Sequence, residues 1–272
     1  MVRLPRAVFG SLTCLPCALV SSTDRLMVKV LYYGDSALNW LSAASHASFR
    51  MARLARVVIP GHPHHVTQRG NGRARTFFGD ADYALYRDLL AENCRAAEVE
   101  VWAWCLMPNH VHLILVPSDP DGLRRALARV HRAYAGVIQA RRKRSGHFWQ
   151  GRFGAVAMDE EHLAAALRYG SLNPVRSRLV QRAQDWRWSS TSAHLRGKHD
   201  GLTALAPIQD RFPGFADLLA SEPDAHLFER LRAAESIGRP LGDDRFLARI
   251  ERRTGRVLKP GKRGPKSVTE EL

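Results

Sequence analysis

Between residues 60 and 175, the apolar positions alternate between the two-residue period of a strand and the three-to-four-residue period of a helix. This pattern predicts four strands, at residues 64–70, 99–106, 110–116 and 153–158. It also predicts three helices, one from Asp80 or Asp82 to about 97, one at 123–143 and one from 159 toward 174. The order of the first six elements is the split βαβ plan, so we expect an α+β fold with a ferredoxin-like antiparallel sheet and packed helices.

The second and third predicted strands are separated by Pro108-Asn109, which is turn chemistry, and should therefore form a hairpin. Because side chains two residues apart in a strand share a face, His110 and His112 should point the same way. Two adjacent imidazoles can bind one divalent metal ion. Taken alone, the spacing is weak evidence, and two polar residues on an exposed sheet face are the more frequent explanation.

The helix predicted at 123–143 combines an apolar stripe with many cations. The stripe follows the three-four spacing of a packed face and contains Leu123, Leu127, Val130, Tyr134, Val137 and Ile138. The cations beside it are Arg124, Arg125, Arg129, Arg132, Arg141, Arg142, Lys143 and Arg144. Such a helix can pack inward with its stripe and meet phosphate with its arginines. By its position alone, Tyr134 is typical of a core tyrosine.

The net charge of the chain indicates what kind of molecule it binds. The 272 residues carry 41 Lys and Arg against 26 Asp and Glu, a formal net charge of +15. A field of this sign attracts polyanions, so nucleic acid is the expected partner, and a merely basic soluble protein is the alternative. No stretch reaches the length of a membrane span, so no membrane partner is expected. The four cysteines have neither zinc-site nor disulfide-framework spacing, which is typical of a reducing cytoplasm.

We divide the chain into four segments, residues 1–50, 51–190, 191–254 and 255–272. The first segment faintly resembles a secretory signal, but Met51 is a reasonable true start, so we expect a disordered extension without function. The second is the main domain. The third should be a linker that is loosely packed near 200–225 and has short helices near 224–235 and 243–254. The last is a basic tail that either binds nucleic-acid backbone or is simply solvated.

Several motifs in the main domain carry a resemblance to a known family. They are found at residues 60–70, at Cys105-Leu106-Met107-Pro108-Asn109-His110-Val111-His112, in the Tyr134 helix, at 146–153, at Leu172-Asn173-Pro174-Val175-Arg176 and at Trp186-Arg187-Trp188-Ser189-Ser190. With these motifs the chain resembles the single-tyrosine HUH transposases of the IS200-like type. Within that group it is most similar to the REP-associated tyrosine transposases.

The resemblance implies a metal-dependent enzyme that cleaves and rejoins single-stranded hairpin DNA through a 5′-phosphotyrosine intermediate. His110 and His112 would bind Mg²⁺ or Mn²⁺, and Tyr134 would be the nucleophile. The third ligand departs from the family pattern, since Gln139 stands where Asn is usual. Gln139 would be the third ligand, because it offers a similar carbonyl oxygen on a longer arm, although five residues turn a straight helix by about 140° from Tyr134.

The same resemblance supplies candidate DNA contacts and two alternatives. The candidate contacts are Arg69, Arg125, Arg129, Arg132, His147, Trp149, Gln150 and Arg152, although Trp149 could instead belong to the core. The DNA would be a REP-like palindromic hairpin, bound by a monomer or a homodimer in the cytoplasm, associated with the nucleoid. A hairpin DNA- or RNA-binding protein without chemistry is the main alternative, and a metal-dependent RNA-processing enzyme is the other.

Overall fold

The computed structural model of the protein describes residues 56–222 and 224–258, except for the side chain of Ser236. The strands are β1 His64–Arg69, β2 Val99–Met107, β3 His110–Pro117 and β4 Gly154–Ala157. The long helices of the main domain are α1 Asp80–Ala96, α2 Gly122–Arg141 and α3 Glu160–Arg176. Further along the chain lie α4 Thr191–Arg196, α5 Ala206–Arg211, α6 Phe215–Ala220, α7 Ala225–Ile237 and α8 Asp244–Thr254.

The four strands form one antiparallel sheet in the order β2-β3-β1-β4. With α1 between β1 and β2, and α2 between β3 and β4, this is the ferredoxin-like arrangement. The predicted α+β fold class is therefore confirmed. The predicted hairpin is also present, since Met107 pairs with His110 across the turn.

The two faces of the sheet are covered by different helices. Successive strand residues point to opposite faces. Val111, Leu113 and Leu115 of β3 pack in one apolar cluster with the buried residues of α1 and α2. Ile114 and Val116 pack in a second cluster with α3. The even-numbered residues of β3, which include the two histidines, therefore face α3 and not α2.

The segment after residue 190 packs on the α3 side of the sheet. Ile208 and Phe215, which lie in the region expected to be loosely packed, are buried in the same cluster as Leu163 and Leu167 of α3. The two helices expected near 224–235 and 243–254 are present as α7 and α8. Leu241 continues the sheet beyond β4 through backbone hydrogen bonds to Ala157 and Asp159, which covers this edge.

Some expectations fall outside the part of the chain that the structure describes. They are the extension at residues 1–50 and the basic tail from residue 259 onward. The division of the chain at residues 51, 191 and 255 stays a prediction. Within residues 56–222 and 224–258, no helix has both the length and the hydropathy needed to cross a membrane.

Candidate active site

The rings of His110 and His112 lie together at the start of β3, with their centroids 4.8 Å apart and their planes at 87°. The Nδ1 atom of His110 is 2.6 Å from Oδ1 of Asn109, in the hairpin turn. The Nδ1 atom of His112 is 3.0 Å from Nε2 of His65 on β1. Both Nδ1 atoms are therefore engaged within the protein, and the Nε2 atoms are on the side of each ring that faces away from these contacts.

Both imidazoles are held in the neutral state that binds metal. Burial, together with the charge of Arg69 and the neighbouring His65, lowers the pKa of His110 to about 3. Burial and the neighbouring His110 lower the pKa of His112 well below its usual value. The Nε2 atom of His112 is buried and has no hydrogen-bond partner among the described residues. A buried lone pair without a partner fits a metal ligand.

Helix α3 brings a tyrosine and an amide to these histidines. The ring of Tyr169 meets His112 edge-on, with centroids 5.3 Å apart. Nδ2 of Asn173 lies 3.3 Å from Nε2 of His110. Amide oxygen and nitrogen are assigned from such contacts, and turning the amide over would direct Oδ1 toward the histidine. A spacing of four residues places Tyr169 and Asn173 on one face of α3.

Two features of α3 make this approach possible. A Cβ atom on Gly170 would lie at an ordinary contact distance of 3.9 Å from Cβ of His112, so the helix backbone passes over the histidine strand. The helix also continues to Arg176 and contains Pro174 within its last turn, whereas the sequence predicts an end near 174. Because the helix is longer than predicted, Asn173 lies on its regular part. The missing N–H of a proline near the C-terminus removes one intrahelical hydrogen bond without ending the helix here.

Cations surround the tyrosine. The guanidinium of Arg176 lies 4.1 Å from the ring centroid of Tyr169, and one of its N–H groups donates to the Tyr169 carbonyl oxygen at 2.9 Å. Arg232 of α7 is 5.7 Å from the same centroid. Arg69 of β1 is paired in register with His110. A phosphodiester at this place would therefore meet positive charge from three elements.

The expected position of Tyr134 beside the histidines is wrong. Tyr134 is completely buried in the cluster of α1 and α2, on the opposite face of the sheet from His110 and His112. Its hydroxyl donates a 2.8 Å hydrogen bond to the carbonyl oxygen of Thr76. Its ring packs on Phe77, with centroids 5.3 Å apart, and burial raises its pKa. The three-four stripe that contains it is core, except for Val137, which is exposed.

Gln139 is also remote from the histidines, so the predicted third ligand is not at the site. Its side-chain amide donates to the carbonyl oxygen of Gly146 at 2.7 Å, at the end of α2. The amide that the structure does bring to His110 belongs to Asn173. Sequence reasoning missed Tyr169 and Asn173 as a pair, although Tyr169-x-x-x-Asn173 has the same-face spacing that Tyr134 and Gln139 lack.

The candidate DNA contacts separate into three groups. The loop 145–153 runs beside the end of β1, where the N–H of Gln150 donates to the carbonyl oxygen of Arg69 at 2.9 Å. The residues exposed or half-exposed at this end are Arg69, His147, Gln150 and Arg152. Trp149 is half-buried and packs against the core, since its indole N–H donates to the carbonyl oxygen of His131 at 2.9 Å and its ring packs on Tyr134. On α2, Arg129 and Arg132 are exposed, while Arg125 forms an ion pair with Asp119.

Two further titratable groups lie behind His112. His65 is only 2% exposed, and its ring stacks on that of His112. Glu235 of α7 lies next to both, since one carboxylate oxygen and one ring nitrogen of each histidine are all within 4.8 Å of one another. Burial raises the pKa of Glu235 to about 7, against the charges of Arg69 and Arg232. The sequence holds no motif around Glu235 that marks it. His65 lies in the motif at residues 60–70, which does not by itself indicate a role for it.

Comparison with known proteins shows that the segment with the two histidines and Tyr169 matches a family model. Residues 60–170 match the family model described as "Transposase IS200 like". A curated protein of Haemophilus influenzae, named as a candidate REP-associated tyrosine transposase, is 26% identical over 116 residues. That alignment covers 39% of this chain and 66% of the relative, so the match spans just under two thirds of the relative's length.

Two solved structures are similar to this chain. One is a REP-associated tyrosine transposase bound to a REP hairpin, at 22% identity, with a TM-score of 0.48, over 57% of this chain and 92% of that one. The other is a candidate transposase from Deinococcus radiodurans, at 18% identity, with a TM-score of 0.32, over 43% of this chain and 95% of that one. The matched segment 60–170 contains β1 to β4, both histidines and Tyr169. Residues 60–170 are therefore similar to the IS200-like transposase family.

Proposed function

We propose that this chain is a transposase of the tyrosine type, which cleaves and rejoins single-stranded DNA and uses Tyr169 as its nucleophile. One observation carries the proposal. In a chain whose residues 60–170 are similar to the IS200-like family, the fold gathers His110, His112, Tyr169 and Asn173 on one face of the sheet, at the contact between β3 and α3. Tyr134 is the tyrosine expected from the sequence, and we assign it to the core.

The chemistry is a transesterification that needs no nucleotide cofactor. The Tyr169 oxygen forms a bond to the phosphorus, and the bond from phosphorus to the 3′ oxygen breaks. The phenol proton passes to water, and the 3′ oxygen leaves as a hydroxyl after it takes up a proton. The product is a 5′-phosphotyrosine, and the attack of another 3′-hydroxyl reverses the reaction. Because the ester bond is conserved in the intermediate, rejoining needs no added energy source.

The donor set fits a divalent metal. His110 and His112 would contribute their Nε2 atoms and Asn173 its amide oxygen. When bound, the metal polarises the scissile phosphate and offsets the charge that develops on its oxygens. Two imidazoles favour Mn²⁺ over Mg²⁺, since Mg²⁺ prefers oxygen ligands. Arg176 and Arg69 hold the nucleophile and the phosphate in a positive field.

For the substrate, we propose a hairpin of single-stranded DNA of the REP-like palindromic kind. The resemblance of the motifs and the name of the Haemophilus influenzae relative favour this substrate. The net charge of +15 favours nucleic acid in general. Arg69 and the loop 145–153 lie beside the histidines and can contact the strand that enters the site. An enzyme with this substrate works in the cytoplasm, where the chromosome is.

A denaturing gel assay tests the nucleophile. Labelled hairpin oligonucleotides from the DNA that flanks the gene are incubated with the protein and Mn²⁺, with a chelator lane as the control. We expect a metal-dependent covalent adduct that is lost in Tyr169→Phe and kept in Tyr134→Phe. Loss of the adduct in Tyr134→Phe alone would show that Tyr134 is the nucleophile. Tight binding of hairpins without any adduct would instead support a non-catalytic hairpin-binding protein.

A further inference from the structure

We propose that Glu235 and His65 are positioning residues that act on His112 in series. Glu235 would hold His65, His65 would hold His112, and His112 would thereby direct its Nε2 atom to the metal. The inference deepens the proposed function and rests on it, since the series has a purpose only if His112 binds a metal. The segment that carries Glu235 lies outside the matched family region, which ends at residue 170.

The first link joins the two imidazoles. His65 and His112 lie on adjacent strands and on the same face of the sheet, and their rings stack with centroids 5.2 Å apart and planes at 10°. Nε2 of His65 is 3.0 Å from Nδ1 of His112. Both rings are almost completely buried, at 2% and 3% exposed. The hydrogen bond between them therefore fixes the ring plane of His112 without competition from bulk water.

Metal binding determines the direction of this hydrogen bond. If Nε2 of His112 is to offer its lone pair to a metal, the ring proton must be on Nδ1. His112 then donates to Nε2 of His65, and the ring proton of His65 must be on its own Nδ1. That Nδ1 is buried and has no hydrogen-bond partner among the described residues. It therefore needs an acceptor.

The carboxylate of Glu235 is a buried acceptor beside these two rings, and we assign it to Nδ1 of His65. Its Oε1 atom is also buried without a hydrogen bond in the described part of the chain. One carboxylate oxygen lies within 4.8 Å of a ring nitrogen of His65 and of His112. A water molecule or a small movement of the side chain closes a gap of this size. Metal-binding histidines usually have such a carboxylate behind them, because it fixes the tautomer and raises the basicity of the ligand.

The backbone is built to bring Glu235 to this place. A Cβ atom on Gly154 of β4 would lie 2.7 Å from the carbonyl oxygen of Glu235 and 2.9 Å from Oγ1 of Thr67. Only a glycine therefore allows the end of α7 to touch the sheet here. Thr67 is paired in register with His112, so this contact lies beside the histidine pair.

The ring tautomers of the wild-type protein give the first test. Long-range ¹H–¹⁵N spectra of the full-length protein, labelled at histidine, distinguish protons on Nδ1 from protons on Nε2. We expect His65 and His112 both to carry their protons on Nδ1 in the metal-free protein. Protons on Nε2 of His65 would overturn the series, because no donor would then face Glu235. This test needs no variant and so does not depend on the folding of one.

The second test measures the Mn²⁺ affinity by calorimetry. Glu235→Leu should lower the affinity about tenfold, in the range found when such supporting carboxylates are removed. Glu235→Gln keeps an acceptor oxygen, so its affinity for Mn²⁺ should decrease less. Glu229→Gln, an exposed glutamate on the same helix, is the matched control and should bind as the wild type does. Unchanged affinity in Glu235→Leu would overturn the series, and complete loss would show that Glu235 is itself a ligand.

His112→Ala separates this inference from the proposed function. If the wild type binds Mn²⁺ and His112→Ala does not, the proposed metal role stands whatever Glu235 does. If the wild type binds no Mn²⁺, the proposed metal site is overturned. The hydrogen bond between His65 and His112 is then only a packing contact, whatever their tautomers. Far-ultraviolet circular dichroism of each variant confirms that a loss of affinity is not a loss of fold.

Discussion

The hydroxyl of Tyr134 is a structural group. It donates to the carbonyl oxygen of Thr76 inside a packed aromatic cluster, so Tyr134→Phe leaves a buried acceptor without its donor. We expect this substitution to lower the free energy of unfolding by about 1 to 2 kcal/mol. Urea denaturation followed by tryptophan fluorescence measures the difference. An unchanged midpoint together with a lost DNA adduct would contradict the structural assignment.

Asn173 and Gln139 offer a matched comparison of two amides. Asn173 lies beside His110, whereas Gln139 bonds to Gly146 at the far end of α2. We therefore expect Asn173→Ala to lower the affinity for Mn²⁺ at least tenfold, in keeping with the loss of a ligand. Gln139→Ala should leave the affinity unchanged. Calorimetric titration of both variants with Mn²⁺ checks this. A loss of affinity in Gln139→Ala and not in Asn173→Ala would show that Gln139 is the third ligand, as the sequence predicts.

The histidine pair was predictable from local pattern, and the tyrosine was not. The period of a strand is enough to place His110 and His112 on one face, because that relation involves only neighbouring residues. Choosing between Tyr134 and Tyr169 requires knowing which helix covers which face of the sheet. That is a property of the tertiary fold, and both helices have tyrosines at core spacing. The four-residue spacing of Tyr169 and Asn173 was the local signal that could have decided it.

Helices α1 and α2 are joined by an ion pair whose strength depends on pH. Asp82 of α1 is 3% exposed in its side chain and lies 2.6 Å from the guanidinium of Arg141 on α2. Burial raises the pKa of Asp82, but the hydrogen bonds from Arg141 and from the N–H of Phe78 outweigh it, so the net shift is downward. A carboxyl group with a lowered pKa in the folded state stabilises the fold above its unfolded pKa. That contribution is lost as the pH falls through the folded value.

We therefore expect the unfolding free energy to decrease below about pH 4, with part of the decrease due to Asp82. Asp82→Asn should be less stable than the wild type at pH 7, by about 1 to 2 kcal/mol because Arg141 is half exposed, and the difference should shrink toward pH 3. Denaturant titrations at several pH values measure this convergence. A constant difference across the range would show that the pair carries no pH dependence.

The elements of the main domain were readable from the sequence, and their predicted ends differ little from the observed ones. Period and turn residues placed every strand and long helix of the main domain close to its observed position. The end of α3 was misjudged because Pro174 is a usual stop signal. The helix nevertheless continues to Arg176, and its Asn173 contacts His110, a tertiary contact that cannot be seen in a local window.

Across the whole molecule, the segment after residue 190 is part of the packed structure. Its content of Pro, Gly and Asp predicted a loose linker, but a few apolar side chains carry the packing, with Ile208, Phe215 and Phe228 buried against α3. The overall composition of the segment does not reveal these few apolar residues. As a consequence, α7 forms one wall of the candidate site and contributes Glu235 to it.

The strong positive charge should appear as salt dependence of DNA binding. Each phosphate contact made by Lys or Arg adds roughly 0.7 to 0.9 to the slope of log affinity against log salt. Residues 259–272 contain Lys259, Lys262, Arg263 and Lys266. Ending the chain at Leu258 removes these cations but retains a residue that is buried with Phe246 and Ile250.

For this shortened protein we expect weaker hairpin binding and a salt slope that is smaller by up to about 3, because as many as four phosphate contacts are lost. Fluorescence anisotropy of a labelled hairpin at several salt concentrations measures both slopes. Replacing the same four cations by glutamine in the full chain is the control for length, and it should reproduce the change. Equal slopes for the shortened and full-length proteins would show that the tail is only solvated. The positive field that binds DNA would then come from the main domain alone, with Arg69 and the exposed arginines of α2 as its source.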